Sequence, residues 1–303
     1  MSARLRLSWL SVVTILPVGA WIVAHKALPI DWHGTVRSFS AIPFSRITAS
    51  LAGSFVSFCM LGWLDVLASR VIVAKRVSVK RAAFAGAVSH AFSNTLGFPA
   101  LTGSLIRYRV YASAGLGGGD IARIVTLAAF GVAMGFTVVT TLAMLWQPAL
   151  AHGWGRPLGI WLGAALIAFL FWLRSTHRAL HIARWTLAFP DSATAACQMA
   201  VGGVEMLAAI GALYVLLPSG SAPPFMDFVP IYVGAVVVGL ISHVPGGLGV
   251  FETVVLAAFP ASARPDALAA MLCYRLTYSV APFSLACMGW IGFELRSFGQ
   301  PKC

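Results

Sequence analysis

The stretch AAFAGAVSHAFSNTLGFPALTGSLIRYRVY, residues 82–111, decides how many times this chain crosses a membrane. It is largely apolar, but Ser93-Asn94-Thr95 and Gly97-Phe98-Pro99 interrupt it midway. Glycine and proline there predict a break rather than one continuous helix. A continuous segment would cross the bilayer; a broken one is expected to enter and leave on the same side as two half-helices.

Two basic loops on either side force the choice. Arg70, Lys75, Arg76, Lys80 and Arg81 form one, and Arg174, Arg178 and Arg184, with His177 and His181, form the other. Both are expected in the cytoplasm, where short loops collect lysine and arginine. Between them lie residues 82–111, 124–146 and 157–173, and three crossings would place the loops on opposite sides. Residues 82–111 are therefore the segment that does not cross.

The composition makes a membrane the frame. Of 303 residues 59% are hydrophobic and 10% charged, against roughly 25% charged in a soluble domain; the mean hydropathy is +0.86. Apolar runs at residues 7–27, 47–69, 124–146, 157–173, 192–217 and 267–293 approach the ~20 residues that a spanning helix needs. For residues 7–27 a cleaved signal sequence is the alternative. The formal charge of +12 sits mainly in short loops, so it predicts membrane orientation and not nucleic-acid binding.

The second half repeats the pattern. Residues 228–259 are broken at Pro245-Gly246-Gly247, and Ser242-His243 before Leu248-Gly249 echoes Ser89-His90 before Leu96-Gly97. The predicted fold is an all-α integral membrane protein with six full spans and two re-entrant broken-helix pairs in an inverted repeat. The repeats cover about 47–146 and 192–293 of a single domain, residues 1–46 and 147–191 forming the entry and the link. Both termini are expected in the cytoplasm, which places thirteen lysines and arginines there and five outside.

Acids inside these runs need an explanation. Asp65, Glu205 and Glu252 fall within them, and each costs about 2.5–3.5 kcal/mol at the centre of a spanning helix. Arg107, Arg109 and Arg275 are the cationic counterparts. Static ion pairs, Glu252 with Arg275 first among them, are one reading. The other is a hydrophilic route whose arginines hold a lipid phosphate in their planar fork and whose carboxylates meet a cationic substituent. Backbone freed at membrane depth is tolerated where it lines a cavity, so His90, Asn94, Gly97, His243, Pro245, Gly246, Gly247 and Gly249 are predicted to line one. The two histidines are structural residues or proton carriers.

Other chemistries find no pattern. The five cysteines contain no C-x-x-C, so neither a disulfide framework nor a metal site is indicated. GLGGGD, residues 115–120, lacks a following Lys-Ser/Thr and reads as a loop with Asp120 capping the next helix. No cofactor is expected.

Three segments, NTLGFPALTGSLIRYRVYASAGL, GLISHVPGGLGVFETVVL and YRLTYSVAPF, in that order, resemble the transmembrane flippase domain of the multiple peptide resistance factor, the lysyl-phosphatidylglycerol synthase and flippase family. The likeness runs from about residue 47 to 293. It implies lipid translocation with re-entrant helices, and it carries a translocation role onto Asp65, Arg107, Arg109, Glu252 and Arg275. Glu205 in GGVEML matches in weaker context, and Asp227 more weakly still. Full-length members continue into a soluble aminoacyl transferase, so this chain is expected to be a stand-alone membrane member and not an enzyme. The expected partners are membrane lipids, with a separate synthase as supplier and a homo-oligomer compatible. An intramembrane lipid-modifying enzyme with His90 or His243 as base, and a structural or regulatory subunit, are the rivals.

Overall fold

A computed structural model describes residues 31–97, 99–147, 153–175, 179–182, 185–242 and 244–298. The expected span 7–27, the basic residues Arg178, Arg184 and Lys302, and His243 lie outside the described residues.

Helix α1, Trp32–Ser40, opens after Asp31, whose carboxylate accepts from the Gly34 amide at 2.9 Å. It is short and two-faced: Thr35 is buried, while Trp32, Val36 and Phe39 are exposed. Ser38 donates to Asp266, tying this helix to the second half of the chain. Helix α2, Phe44–Val73, has 30 residues, about 45 Å of rise, enough to cross a bilayer with a turn or more to spare. Ser78 then caps α3, Val79–Leu96. Gly97 ends that helix at φ 77°, a left-handed conformation that glycine enters without a side-chain penalty. Helix α4, Pro99–Ala112, follows.

The interruption at residues 97–99 is thus where the sequence places it. The two half-helices fold back on each other: Thr102 Oγ1 donates to the Gly97 carbonyl at 3.0 Å and lies 3.1 Å from Ser93 Oγ. Helices α5, Gly118–Trp146, and α6, Gly155–Ser175, complete the first half. Gly117 holds the cap position of α5 with no side-chain bond, so Asp120 is a first-turn residue and not the cap the sequence suggested. It faces Arg123 at 3.8 Å.

A short antiparallel hairpin, Ala179–Ile182 paired with Trp185–Ala188, leads to the second half and is the one strand pair among the described residues. Helix α7, Ser192–Tyr214, starts at Asp191, which caps the Thr194 amide at 2.9 Å. Helix α8, Phe225–Ile241, ends before a single 3-10 turn, Pro245–Gly247, and α9, Val250–Ala257, is 8 residues long. The last run is α10, Arg264–Tyr274, then six residues of π-helix, Arg275–Val280, then α11, Ala281–Phe298.

Five helical stretches are long and apolar enough to cross a membrane: Phe44–Val73, Gly118–Trp146, Gly155–Ser175, Ser192–Tyr214 and Ala261–Arg296. Large side chains such as Phe55, Trp63, Trp161, Phe171, Leu240, Leu285 and Leu295 point outward, as lipid-facing surfaces require. Trp146, Trp154 and Trp172, also exposed, stand near span ends, where the headgroup region favours indole rings. The fold is an all-α integral membrane protein.

Buried apolar side chains form two large clusters. One joins α2, α3, α4 and α5 through Val66, Ala85, Tyr111 and Ile124; the other joins α7 to α10 through Ile210, Phe228, Val255 and Met271. The clusters interlock, because α5 packs on α7 and α11 packs on α3. Phe92 of α3 meets Phe283 and Trp290 of α11 edge to face.

Candidate functional site

The two interrupted segments meet. A methyl group added to Gly246 in the second break would stand 3.3 Å from the Asn94 carbonyl oxygen at the end of α3. Beside it, Thr95 Oγ1 donates to the Ser279 carbonyl at 3.4 Å, linking the first break to the π-helical stretch. Half-helix ends from both halves of the chain therefore share one place in the molecule.

Glycine is dictated there by backbone geometry. Gly246, Gly247 and Gly249 have φ of 62°, 63° and 79°, and any other L-residue pays roughly 1–2 kcal/mol in that left-handed region. So tight a turn strands backbone groups with no helical partner, and charged side chains meet them. Arg275 Nη1 donates to the Gly246 carbonyl at 2.9 Å, and Glu252 accepts from the Gly249 amide at 2.8 Å. Glu252 and Arg275 then join each other, Nε to Oε1 at 2.8 Å. Phe251 lies under the guanidinium, 5.6 Å from ring centre to Cζ. The glutamate after the glycine run is explained locally: it closes the N-terminus of α9, where a carboxylate also meets the positive end of the helix dipole.

That closure differs from a free anion site at the helix N-terminus, since the chain's own carboxylate occupies it. The donor left over is on the arginine. Arg275 Nη2 is buried and has no hydrogen-bond partner among the described residues, an arrangement that leaves a cationic donor unsatisfied. Pro245 opens the 3-10 turn by its backbone.

The other ionisable residues fall into separate groups. Asp65 is fully buried and saturated: Arg107 Nε reaches Oδ1 at 2.9 Å, Arg107 Nη2 reaches Oδ2 at 2.7 Å, and the Tyr111 hydroxyl donates to Oδ1 at 3.0 Å. Gly86 of α3 leaves room for this carboxylate; a Cβ there would lie 2.7 Å from Oδ2. Arg109 faces outward and clasps Glu294 of α11 with two bonds of 3.0 and 2.8 Å. Glu205 has hydroxyl partners, Ser57 and Tyr278. His90 is half-buried on α3 with no hydrogen bond to a described residue, and Asp227 accepts from Gln147.

Of the sequence-derived candidates, then, Asn94, Gly246, Gly247, Gly249, Glu252 and Arg275 come together, while Asp65 with Arg107 and Arg109 with Glu294 form their own pairs. Sequence reasoning passed over Glu294, Ser57, Tyr111 and Tyr278. Glu294 lies one residue beyond the expected span 267–293, and the three hydroxyls carry no local mark of their partners.

Over 289 residues the chain is 30% identical to the uncharacterized protein slr0712 of Synechocystis sp., an alignment covering 93% of this chain and 89% of that one. The chain belongs to the slr0712 family. Beyond that protein, the inner membrane protein YbhN of Escherichia coli is 24% identical over 310 residues, 97% of this chain and 93% of its own length. The phosphatidylglycerol lysyltransferase of Staphylococcus aureus is 25% identical over 291 residues, 91% of this chain but 33% of that longer protein. No established family profile matches the chain. The slr0712 family is thus tied to bacterial membrane proteins and, more distantly, to a protein of lipid modification.

Proposed function

We propose that this protein moves a phospholipid, of the phosphatidylglycerol or lysyl-phosphatidylglycerol kind, between the leaflets of the bacterial cytoplasmic membrane. The observation that carries the reading is the meeting of the two breaks at Gly246 and Asn94, with Arg275 on the Gly246 carbonyl and Thr95 tied to the same π-helical stretch. Broken half-helices joined at one point are the way transporters build a polar path inside a bilayer. The unsatisfied Nη2 of Arg275 suits a phosphate oxygen, because guanidinium binds such oxygens through directed, charge-assisted bonds. Glu252, already on Nε, suits a cationic substituent on the same headgroup. The partial alignment with a phosphatidylglycerol lysyltransferase supports a lipid of this class.

In this reading the chain spans the membrane several times, with both termini in the cytoplasm and the two broken pairs entering from opposite faces. A separate synthase would supply any modified lipid.

The test is leaflet exchange of headgroup-labelled lipids in proteoliposomes, with phosphatidylglycerol, lysyl-phosphatidylglycerol and zwitterionic lipids compared. Wild type is expected to exchange the anionic or lysylated lipid fastest. Glu252→Gln and Arg275→Gln, at matched reconstituted amount, are expected to fall by about tenfold or more, the change that about 1.4 kcal/mol on the barrier produces. A folded wild type that moves no lipid of the panel would overturn the proposal.

A further inference from the structure

Glu205 differs from three acids that hold an arginine. Asp65 has Arg107, Glu252 has Arg275, and Glu294 has Arg109. Glu205, 7% exposed, has neutral hydroxyls instead: Ser57 Oγ at 2.7 Å and the Tyr278 hydroxyl at 3.3 Å, both on Oε1. Among the described residues no cation forms an ion pair with it, and no hydrogen bond reaches Oε2.

The helices packed on α7 offer no neutralising charge at this depth. On α5 and α6 the charged residues are Asp120, Arg123, Arg156 and Arg174, all near helix ends. Asp227 opens α8, and Arg264 and Asp266 open α10. On α2, Arg46 and Arg70 lie towards the ends and Asp65 is held by Arg107. What faces Glu205 is aromatic hydroxyl. Tyr278 stacks on Tyr274 at 4.9 Å, and the Tyr274 hydroxyl lies 2.8 Å from that of Tyr232. Tyr232 meets Phe251 at 5.3 Å and Phe251 lies under Arg275, so three tyrosines and a phenylalanine connect the lone carboxyl to the Arg275–Glu252 pair.

A buried carboxylate without a cation is strongly disfavoured, and two bonds from neutral hydroxyls do not replace its lost hydration. The neutral acid fits the same nest: Oε1 accepts from the hydroxyls, and Oε2 carries the proton.

We propose that Glu205 is a proton-binding site that couples lipid movement to the proton gradient; this rests on the transporter reading above. One proton binds Oε2 from one side of the membrane and leaves to the other, and no other atom changes hands. When the proton leaves, the new negative charge draws on Ser57 and Tyr278 and competes with Glu252 for Arg275 across the tyrosines. Tyr278 and Arg275 share one π-helical stretch, a backbone form that recurs at functional sites, so the hydroxyl that holds the carboxyl and the headgroup arginine lie on one element.

Two measurements on the full chain in lipid separate this proposal from the transporter reading. Infrared difference spectra between alkaline and neutral pH are expected to show the carbonyl stretch of a protonated carboxylic acid. That band is lost in Glu205→Gln, kept in Glu252→Gln, and shifted to higher frequency in Ser57→Ala, which retains the carboxyl but removes a hydrogen bond from Oε1. Absence of the band, or its persistence in a folded Glu205→Gln, would overturn the proton site. In proteoliposomes free of sodium, an imposed pH gradient is expected to speed lipid exchange in wild type. In Glu205→Gln the acceleration by the gradient is expected to be lost, whatever the rate without a gradient. Exchange that ignores the gradient in wild type, or that follows sodium instead, would overturn the coupling. A wild type with the infrared band but no exchange of any lipid would overturn the coupling together with the transporter reading.

Discussion

Arg107→Gln is expected to destabilise the folded protein by about 3–5 kcal/mol, the usual result of leaving one member of a buried ion pair without the other. Asp65 is wholly enclosed, and it accepts three bonds of 3.0 Å or less from Arg107 and Tyr111. Removing the guanidinium strands a carboxylate between α2, α3 and α4 with a single neutral donor. Asp65→Asn should act in the same direction. The informative companion is the combined variant Asp65→Leu, Arg107→Met, Tyr111→Phe, which takes away every group that needs a partner. Because apolar replacements for a buried pair are often neutral, it is expected to recover most of the loss. Thermal unfolding in detergent, followed by tryptophan fluorescence, reads all three. If Arg107→Gln unfolds within a degree or two of wild type, the pair does not anchor these helices. If the combined variant is stable yet exchanges no lipid, the pair belongs to the path.

The second large effect is expected from one methyl group. A Cβ on Gly135 of α5 would lie 2.2 Å from the Gly202 carbonyl carbon and 2.3 Å from its Cα, backbone atoms that cannot step aside. Gly202 in turn would bring its own Cβ to 2.8 Å from the Gly131 carbonyl oxygen. Small residues allow helices to touch backbone to backbone, and in a membrane such contact is a main source of association. Gly135→Ala must therefore push α5 from α7, at a cost at or beyond the roughly 1–3 kcal/mol of ordinary overpacking. Gly203→Ala, one residue from the contact, is the control. Its Cβ meets no atom closer than Val138 Cγ1 at 3.8 Å, and alanine is the better helix former by about 1 kcal/mol. Unfolding temperatures should fall sharply in the first variant and hold or rise in the second. Similar values in both would mean that the α5–α7 crossing is looser than the geometry implies.

What could be read from the chain followed its local chemistry. Proline and glycine announce their breaks without outside help, so the sequence itself marks Gly97 and residues 245–249. Apolar length announced the spans in the same way. The partner of a charge is a different kind of information. Glu252 and Arg275 sit in conspicuous surroundings that suggest their pairing, whereas nothing local joins Asp65 to Arg107. Their contact depends on α3 lying close enough to α2 for Gly86 to touch the carboxylate, a packing result that no local pattern encodes. The hydroxyls of Ser57 and Tyr278 were invisible for a related reason: serine and tyrosine occur along spanning helices in many capacities. The hairpin at Ala179–Ala188 and helix α1 are too short to leave a periodicity that the sequence would show.

The π-helical stretch after Tyr274 has one more consequence. Each residue turns an ordinary helix by about 100°, and a π turn accommodates an additional residue without ending the rod. Arg275–Val280 therefore acts as a gear between two rods that must be clocked differently. At the end of the upstream rod Arg275, the first residue of the π turn, reaches Gly246, while the downstream rod aims Glu294 at Arg109 of α4. Any relaxation of this stretch towards ordinary helical winding would turn one contact out of phase with the other, so it is the π turn that lets the grip on the break and the clasp on α4 be held together.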